Sequence, residues 1–223
     1  MLRFSALEDL GLCIAAMSEK SDGDCAHADA RREVCQAAGA SFDRLVLLHQ
    51  VHGDRVVSVG SVQGEAPDPV EGDGLIAREP SLPIGVLVAD CVPVYLFDPI
   101  RRAGGIVHAG RAGTYSRIVE NAIHALEREQ GVSPGDLHAV IGPSAGPCCY
   151  EVSEEIARDF DISGLPVSGR YLDLWQANVL QLEGCGVPRT HIGVAGLCTL
   201  CDGRFHSHRR NPKGGRNLAL LAL

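Results

Sequence analysis

Two kinds of apolar pattern alternate along the chain. Apolar residues repeated every three to four positions predict helices that pack one face against a core. The clearest example spans 116–129, is stopped by Gly131, and carries one apolar stripe: Ile118, Val119, Ala122, Ile123 and Leu126. Three further segments predict helices: 28–38, closed by Gly39, then 153–160 and 172–182.

Short apolar runs bounded by turn residues predict strands. Runs at 84–89, 94–97 and 105–107 follow one another closely, and they suit strands buried on both faces. The same criterion predicts strands at 45–48, 55–59, 137–141, 192–195 and 205–207. The first two of these are expected to be neighbours across a turn at His52 and Gly53.

The segments between these elements give no sign of a domain boundary. The stretch 60–72 contains Pro67, Pro69 and several acidic residues, which predicts a loop too short to link domains. The chain also lacks internal repeats and low-complexity tracts. We therefore expect one mixed α/β domain over 1–223.

Composition narrows the class of protein. Hydrophobic residues make up 45% and charged residues 22% of the 223 residues, which is ordinary for a globular protein. The formal net charge of −8 argues against binding to nucleic acid, whose phosphates need a basic surface. The apolar runs are too short to cross a membrane. With 9 cysteines and no apolar signal segment, we expect a cytoplasmic protein with free or metal-bound thiols.

Three separated segments each place a histidine or cysteine where an extended run meets a turn. They contribute His52, Cys91 and His108. Two imidazoles and one thiolate suit zinc with one coordination position left open, and this arrangement is typical of catalytic zinc. The alternative is a buried cysteine and two histidines in turns. His49 is expected on the opposite face of its strand, and His124 on an exposed helix face, so neither is taken as a ligand.

Two cysteine pairs suggest other chemistry. Cys198 and Cys201 form a C-x-x-C, and Cys148 and Cys149 are adjacent. Together they could close a structural zinc site, but an adjacent pair lacks the usual spacer. A redox C-x-x-C normally precedes a helix, whereas a turn is predicted after Cys201.

Several polar positions are candidates for substrate binding. Gly142 lies in a Gly/Pro-rich loop that could present backbone N–H groups to an anion or a sugar, or could simply be a tight connection. Arg209 and Arg210, with Arg216 further along, could bind phosphate or carboxylate, or form a solvated basic tail. Asp90 could accept a proton, support a ligand or cap a turn.

At these residues the chain resembles the YfiH-like laccase-domain family of purine nucleoside phosphorylases. The resemblance runs from about 49 to 216, while residues 1–26 diverge, and it rests on motifs in a shared order: His49-Gln50-Val51-His52-Gly53, Asp73-Gly74-Leu75-Ile76, Val88-Ala89-Asp90-Cys91-Val92-Pro93-Val94, Gly105-Ile106-Val107-His108-Ala109-Gly110, Ile141-Gly142-Pro143, Cys148-Cys149-Tyr150-Glu151-Val152 and Ser207-His208-Arg209-Arg210. It implies a four-layer α/β/β/α fold with mixed sheets. It also implies zinc bound by His52, Cys91 and His108.

The resemblance implies phosphorolysis of adenosine, inosine and S-methyl-5'-thioadenosine, and deamination of adenosine. Members have also been assigned copper-dependent polyphenol oxidation and editing of peptidoglycan precursors. One motif departs from the family, because Arg111-Ala112 stands where the family has Trp-Arg. In an extended segment this shift would turn the guanidinium of Arg111 to the other side.

The leading hypothesis is a zinc-dependent purine nucleoside phosphorylase that binds nucleoside and phosphate, with Arg111, Arg209, Arg210 and Gly142 at the substrate. Asp90 joins the three ligands as a candidate catalytic residue. The first alternative is a hydrolase for peptidoglycan precursors, with Cys91 as nucleophile and His108 as base. The others are a copper polyphenol oxidase and a zinc-binding protein without catalysis.

Overall fold

Helices occupy a minor part of the chain. The computed structural model describes residues 1–60, 66 and 68–223. The described residues form six α-helices: α1 (Ser5–Glu8), α2 (Ala28–Ala38), α3 (Arg111–Tyr115), α4 (Ile118–Gln130), α5 (Glu154–Ile162) and α6 (Leu174–Gly184). Short 3-10 turns cover Lys20–Asp22, Phe42–Arg44, Pro134–Asp136 and Arg189–His191. In the described residues, no helix is long and apolar enough to span a bilayer.

The strands build two main sheets and a small ribbon. The described strands are β1 (Leu2–Arg3), β2 (Ile14–Met17), β3 (Val56–Val59), β4 (Gly74–Ala77), β5 (Pro83–Val88), β6 (Val92–Asp98), β7 (Ala103–Ala109), β8 (His138–Ile141), β9 (Val167–Ser168), β10 (Tyr171–Leu172), β11 (Ile192–Val194) and β12 (Asn217–Ala222). One sheet has the order β1-β2-β12-β5 and is antiparallel throughout. The other has the order β11-β8-β6-β7-β4-β3 and is mixed, while β9 and β10 form the ribbon.

Alternating side chains place these sheets in four layers. In β12, Ala219 and Leu221 face the six-stranded sheet, whereas Leu218 and Leu220 pack with α2 on the outer face. Strand β6 behaves the same way, since Tyr95 and Phe97 point between the sheets. Its other face packs against α4, α5 and α6. Because both sheets are covered on both faces, the layers run α/β/β/α, which confirms the expected fold class.

Two predicted strands are wrong. The segment 45–48 makes only an isolated bridge, between Val46 and Ile84, and β3 pairs with β4 in parallel instead of with this segment. The segment 205–207 forms no strand, and the carbonyl oxygen of Phe205 accepts a hydrogen bond from the guanidinium of Arg210. Residue composition alone does not show whether another segment will pair with the backbone of such a run.

Other differences concern missed elements. The pattern gave no element at β2, β4 or β12, although all three lie inside the sheets. The helix predicted over 116–129 is preceded by the separate helix α3, because Arg117 adopts a left-handed conformation with φ 61° and breaks the two apart. Of the predicted loop 60–72, residues 61–65 and 67 lie outside the described residues.

Candidate metal centre

Three side chains from separate elements converge at one point. His52 lies in the turn before β3, Cys91 in the connection between β5 and β6, and His108 near the end of β7. Their ligand atoms lie within 4.8 Å of one another. The two imidazole rings are 4.9 Å apart between centroids and nearly perpendicular. These distances allow one cation to bind two imidazoles and one thiolate, which is a donor set suited to zinc.

Local backbone geometry directs two of the candidate ligands. His52 has φ 60° and Asp90, which precedes Cys91, has φ 83°. Residues other than glycine rarely adopt this left-handed region, and such conformations persist only where neighbouring contacts hold them. Each turn is therefore held in an unusual conformation next to the side chain that it presents.

The buried carboxylate of Asp73 holds the two histidine segments together. Its Oδ1 atom lies 2.7 Å from Nδ1 of His108 and accepts a hydrogen bond from the backbone N–H of His52 at 3.0 Å. Its Oδ2 atom accepts from Gly53 N at 2.8 Å and from Val51 N at 3.2 Å. A carboxylate on Nδ1 fixes the ring of His108 and leaves Nε2 available to a metal.

Hydrogen bonding shifts the acidity of two candidate ligands. Burial raises the pKa of the Cys91 thiol, but hydrogen bonds and charge from His108 and His52 outweigh it and lower that pKa to about 6. Burial lowers the pKa of His108, and the bonds to Asp73 and Cys91 outweigh it and raise that pKa to about 9. The thiolate form that binds metal is thus favoured at neutral pH.

Gln50 and Gly110 fit closely around these ligands. The Gln50 side-chain amide donates to the carbonyl oxygen of Leu87 at 2.9 Å and accepts from the N–H of Leu87 at 2.8 Å. This pair of bonds fastens the His52 segment to β5. A Cβ atom added to Gly110 would lie 3.0 Å from Sγ of Cys91 and 3.4 Å from Cδ2 of His52. A larger residue where α3 begins would therefore press on the candidate ligands.

A cavity of about 580 Å³ opens beside the three ligands. Its lining includes Tyr150 and the apolar side chains of Leu48 and Leu87. Four histidines and two arginines also line it, namely His49, His52, His108, His208, Arg209 and Arg216, together with Asp90 and Cys91. Arg209 and Arg216 thus bring two guanidinium groups to the cavity of a protein whose formal net charge is −8. This combination suits an anionic ligand.

Arg209 lies at the edge of this cavity. Its guanidinium stacks over the ring of Tyr150, 4.8 Å from the centroid, and donates to the carbonyl oxygen of Glu151 at 2.6 Å. Its backbone N–H donates to Oδ2 of Asp90 at 2.7 Å. The side chain also lines a neighbouring open groove that contains Arg111. Arg209 is thus positioned to contact a ligand in either space.

Asp90 lines the cavity and connects two loops. Its Oδ1 atom accepts a hydrogen bond from the hydroxyl of Thr199 at 2.6 Å, and its Oδ2 atom accepts from the backbone of Arg209. Both oxygens therefore have partners in the loop that precedes β12. The contacts describe a residue that positions Cys91 relative to that loop, and a catalytic role for Asp90 stays a prediction.

Three of the predicted substrate-binding residues lie outside the cavity lining. The guanidinium of Arg210 donates to the carbonyl oxygens of Thr199 at 2.7 Å and of Leu200 at 3.2 Å, and so shapes a loop. Gly142 packs on Pro93, since an added Cβ would lie 2.8 Å from its Cγ. Arg111 is exposed at the first position of α3. The expected reversal of its side chain is wrong, because the segment is helical and not extended.

The structure adds residues that the sequence did not single out. Asp73, Tyr150 and His208 contact or line the site, although the sequence marked them only within family motifs. His49 lines the cavity because its segment is not a regular strand, so the prediction of an opposite face is wrong. His124 is exposed on α4, as expected.

Comparison with known proteins connects this centre to a family. The family model for multi-copper polyphenol oxidoreductase laccase matches residues 16–223. Purine nucleoside phosphorylase YlmD of Geobacillus stearothermophilus is 34% identical over 86% of this chain and 76% of its own length. A purine nucleoside phosphorylase of Deinococcus radiodurans is 34% identical over 93% of this chain and 81% of its own.

Solved structures agree with this assignment. The crystal structure of YlmD from Geobacillus stearothermophilus aligns with TM-score 0.85 and 30% identity, covering 94% of this chain and 91% of that one. The structure of the Bacillus licheniformis hypothetical protein YfiH aligns with TM-score 0.79 and 32% identity, covering 88% and 80%. The resemblance seen in the sequence motifs is confirmed, and the chain belongs to the multi-copper polyphenol oxidoreductase laccase family.

Proposed function

We propose that this protein is a zinc-dependent purine nucleoside phosphorylase acting on adenosine, inosine and S-methyl-5'-thioadenosine. The observation that carries the proposal is the cavity of about 580 Å³ whose lining includes His52, Cys91 and His108 together with two arginines. Its volume is in the range of small-molecule sites, roughly 300–1,000 Å³. The names of the relatives support the reaction class.

The three candidate ligands fit zinc by their chemistry. Cys91 has a lowered thiol pKa, and the Asp73 contact directs Nε2 of His108 toward the other donors. Zinc held by three protein ligands supplies a Lewis acid with one open position for an oxygen of phosphate or water. The same arrangement suits deamination of adenosine, which we propose as a second activity.

The surrounding residues would bind and orient the reactants. Arg209 and Arg216 provide guanidinium groups for phosphate, which forms strong charge-assisted hydrogen bonds with arginine. The apolar surface of Leu48 and Leu87, with the ring of Tyr150, would receive the purine base. Holding phosphate and nucleoside side by side lowers the entropic cost of their reaction.

The test is incubation of zinc-loaded protein with each nucleoside, with and without phosphate, followed by chromatography. Only when phosphate is present do we expect free base together with the sugar 1-phosphate, which is ribose 1-phosphate from adenosine and inosine and 5-methylthioribose 1-phosphate from S-methyl-5'-thioadenosine. In its absence we expect inosine from adenosine. Cys91→Ser should lose zinc and activity, whereas Cys13→Ser, at an exposed cysteine outside the site, should keep both. Zinc-loaded protein that turns over none of the nucleosides would contradict the proposal.

Chelation separates this function from a cysteine hydrolase. If Cys91 were a nucleophile with His108 as base, removing the metal would leave the reaction intact or faster. We expect instead that activity disappears with the metal and returns when zinc is added. Activity that survives complete metal removal would favour the nucleophile.

A further inference from the structure

A second group of side chains with metal-binding chemistry lies apart from the cavity just described. Cys148 and Cys149 belong to the turn after β8, and Cys198 and Cys201 to the loop before β12. Their four sulfur atoms lie within 4.8 Å of one another, and all four cysteines are free thiols. The proposed reaction uses none of them.

The sulfur positions approach those of a tetrahedral metal site. Sγ of Cys201 lies 3.3 Å from Sγ of Cys149 and 3.7 Å from Sγ of Cys148. Four thiolates around zinc, each at about 2.3 Å, would be separated by about 3.8 Å. A disulfide would need a separation of about 2 Å. The cluster therefore has the dimensions of a site that encloses one cation.

Backbone groups already favour a thiolate within the cluster. The N–H of Gly146 donates to Sγ of Cys198 at 3.3 Å. A backbone N–H directed at a sulfur favours its negatively charged form, which is the form that binds a metal.

A tight turn brings the adjacent pair together. The N–H groups of Cys149 and Tyr150 both donate to the carbonyl oxygen of Gly146, each at 3.0 Å. Because the chain reverses within these residues, Cys148 and Cys149 both reach Cys201. The missing spacer, which argued against a closed site in the sequence, is thus no obstacle in the folded protein.

We propose that Cys148, Cys149, Cys198 and Cys201 form a second metal site, closed by four thiolates and occupied by zinc. A site without an open position is structural. It would fasten two loops that shape the cavity, since Tyr150 follows Cys149 directly and Thr199, which binds Asp90, lies between Cys198 and Cys201. The proposal does not depend on the reaction proposed above.

Metal content provides the test. Protein purified under reducing conditions without chelators should contain about two zinc ions per chain. The double variant His52→Ala, Cys91→Ser should keep one, and Cys148→Ser combined with Cys201→Ser should keep the other. Both cysteines of that second variant are exposed, so the fold should tolerate the change. The control Cys13→Ser, also exposed, should retain both ions.

Cobalt substitution identifies the ligands directly. In the His52→Ala, Cys91→Ser background, only the four-cysteine cluster can give intense thiolate-to-cobalt charge-transfer and tetrahedral d–d bands. We expect these bands, and we expect Cys148→Ser to weaken them. Three results would each overturn the proposal. The first is a disulfide between these cysteines under reducing conditions, and the second is iron in place of zinc. The third is one zinc per chain both in the wild type and in the folded Cys148→Ser, Cys201→Ser variant.

Discussion

Among single residues, Asp73 makes contacts with both segments that carry the candidate histidine ligands. We expect Asp73→Asn to lower the affinity for zinc by roughly 10–100-fold, the usual effect of removing a partner behind a ligand. Competition with a chromophoric chelator measures this. Asp98→Asn is the matched control, because Asp98 is equally buried and accepts backbone N–H groups of Ile100 and Arg101 away from the site. Equal zinc affinity in both folded variants would contradict this role for Asp73.

The acidity of Cys91 gives a second prediction for a single residue. A pKa lowered to about 6 means that the metal-free protein holds a thiolate at neutral pH, which is lost as pH falls through about 6. The ultraviolet absorbance of thiolate, taken as the difference between wild type and Cys91→Ser, follows this titration. Cys185→Ser is the control, since burial raises the pKa of that thiol to about 11. A midpoint near the ordinary value of about 8.5 would show that the histidines do not stabilise the thiolate.

Sequence predicts some of these residues better than others. His52, Cys91 and His108 could be grouped because each stands where an extended run meets a turn, and the structure brings their ligand atoms together. Asp73 could not be grouped with them in this way, since its partners include backbone N–H groups of a turn about twenty residues earlier in the chain. Which backbone donors face a carboxylate depends on tertiary packing and leaves no pattern in the sequence.

Among the elements, the junction of β7 and α3 leaves little room for a side chain at Gly110. Gly110→Ala would place a Cβ against Sγ of Cys91 and the ring of His52, so one of the candidate ligands must move. We expect weaker zinc binding with the fold retained, measured by chelator competition and circular dichroism. Gly184→Ala is the control, because nothing lies within 4 Å of a Cβ added there. Unchanged zinc binding in Gly110→Ala would show that the ligands can shift without loss.

Strand β12 contributes strongly to stability because it pairs with both β2 and β5. Leu220→Ala removes a fully buried side chain and should lower the free energy of unfolding by about 2–5 kcal/mol. Leu180→Ala, where the side chain is 43% exposed, should cost far less. Urea denaturation compares the two. Equal losses would mean that β12 is not part of the cooperative core.

The elements that the sequence predicted differ in their residue patterns from those that it missed. Helix α2 was predicted with its observed bounds because a segment rich in Ala, Arg and Glu ends at Gly39, which caps it in a left-handed conformation. Strand β12 was missed because its apolar residues 218–222 show no alternation, and a short apolar run alone does not distinguish a buried strand from a buried helical segment. Burial on both sides removes the period of two that identifies a strand exposed on one side.

For the whole molecule, the basic residues around the cavity contrast with the negative net charge of the protein. The protein carries a formal charge of −8, yet arginines and histidines line the cavity. In the proposed reaction, phosphate would therefore be attracted by local charge against a negative surrounding surface, and salt weakens attraction between exposed charges. We expect the KM for phosphate to rise with ionic strength while KM for the nucleoside changes little. Initial rates in increasing potassium chloride measure both, and a salt-independent KM for phosphate would contradict this account.

The position of β12 also bears on how the protein is made. This strand follows all the other described strands in the chain, yet it lies between β2 and β5 in the four-stranded sheet. While a ribosome is still synthesising the segment before it, those two strands lack their shared partner. The loop with His208, Arg209 and Arg216 leads directly into β12, so its far end is fixed only when that strand has been inserted. A nascent chain can thus carry all three zinc-binding candidates before it has a complete substrate cavity.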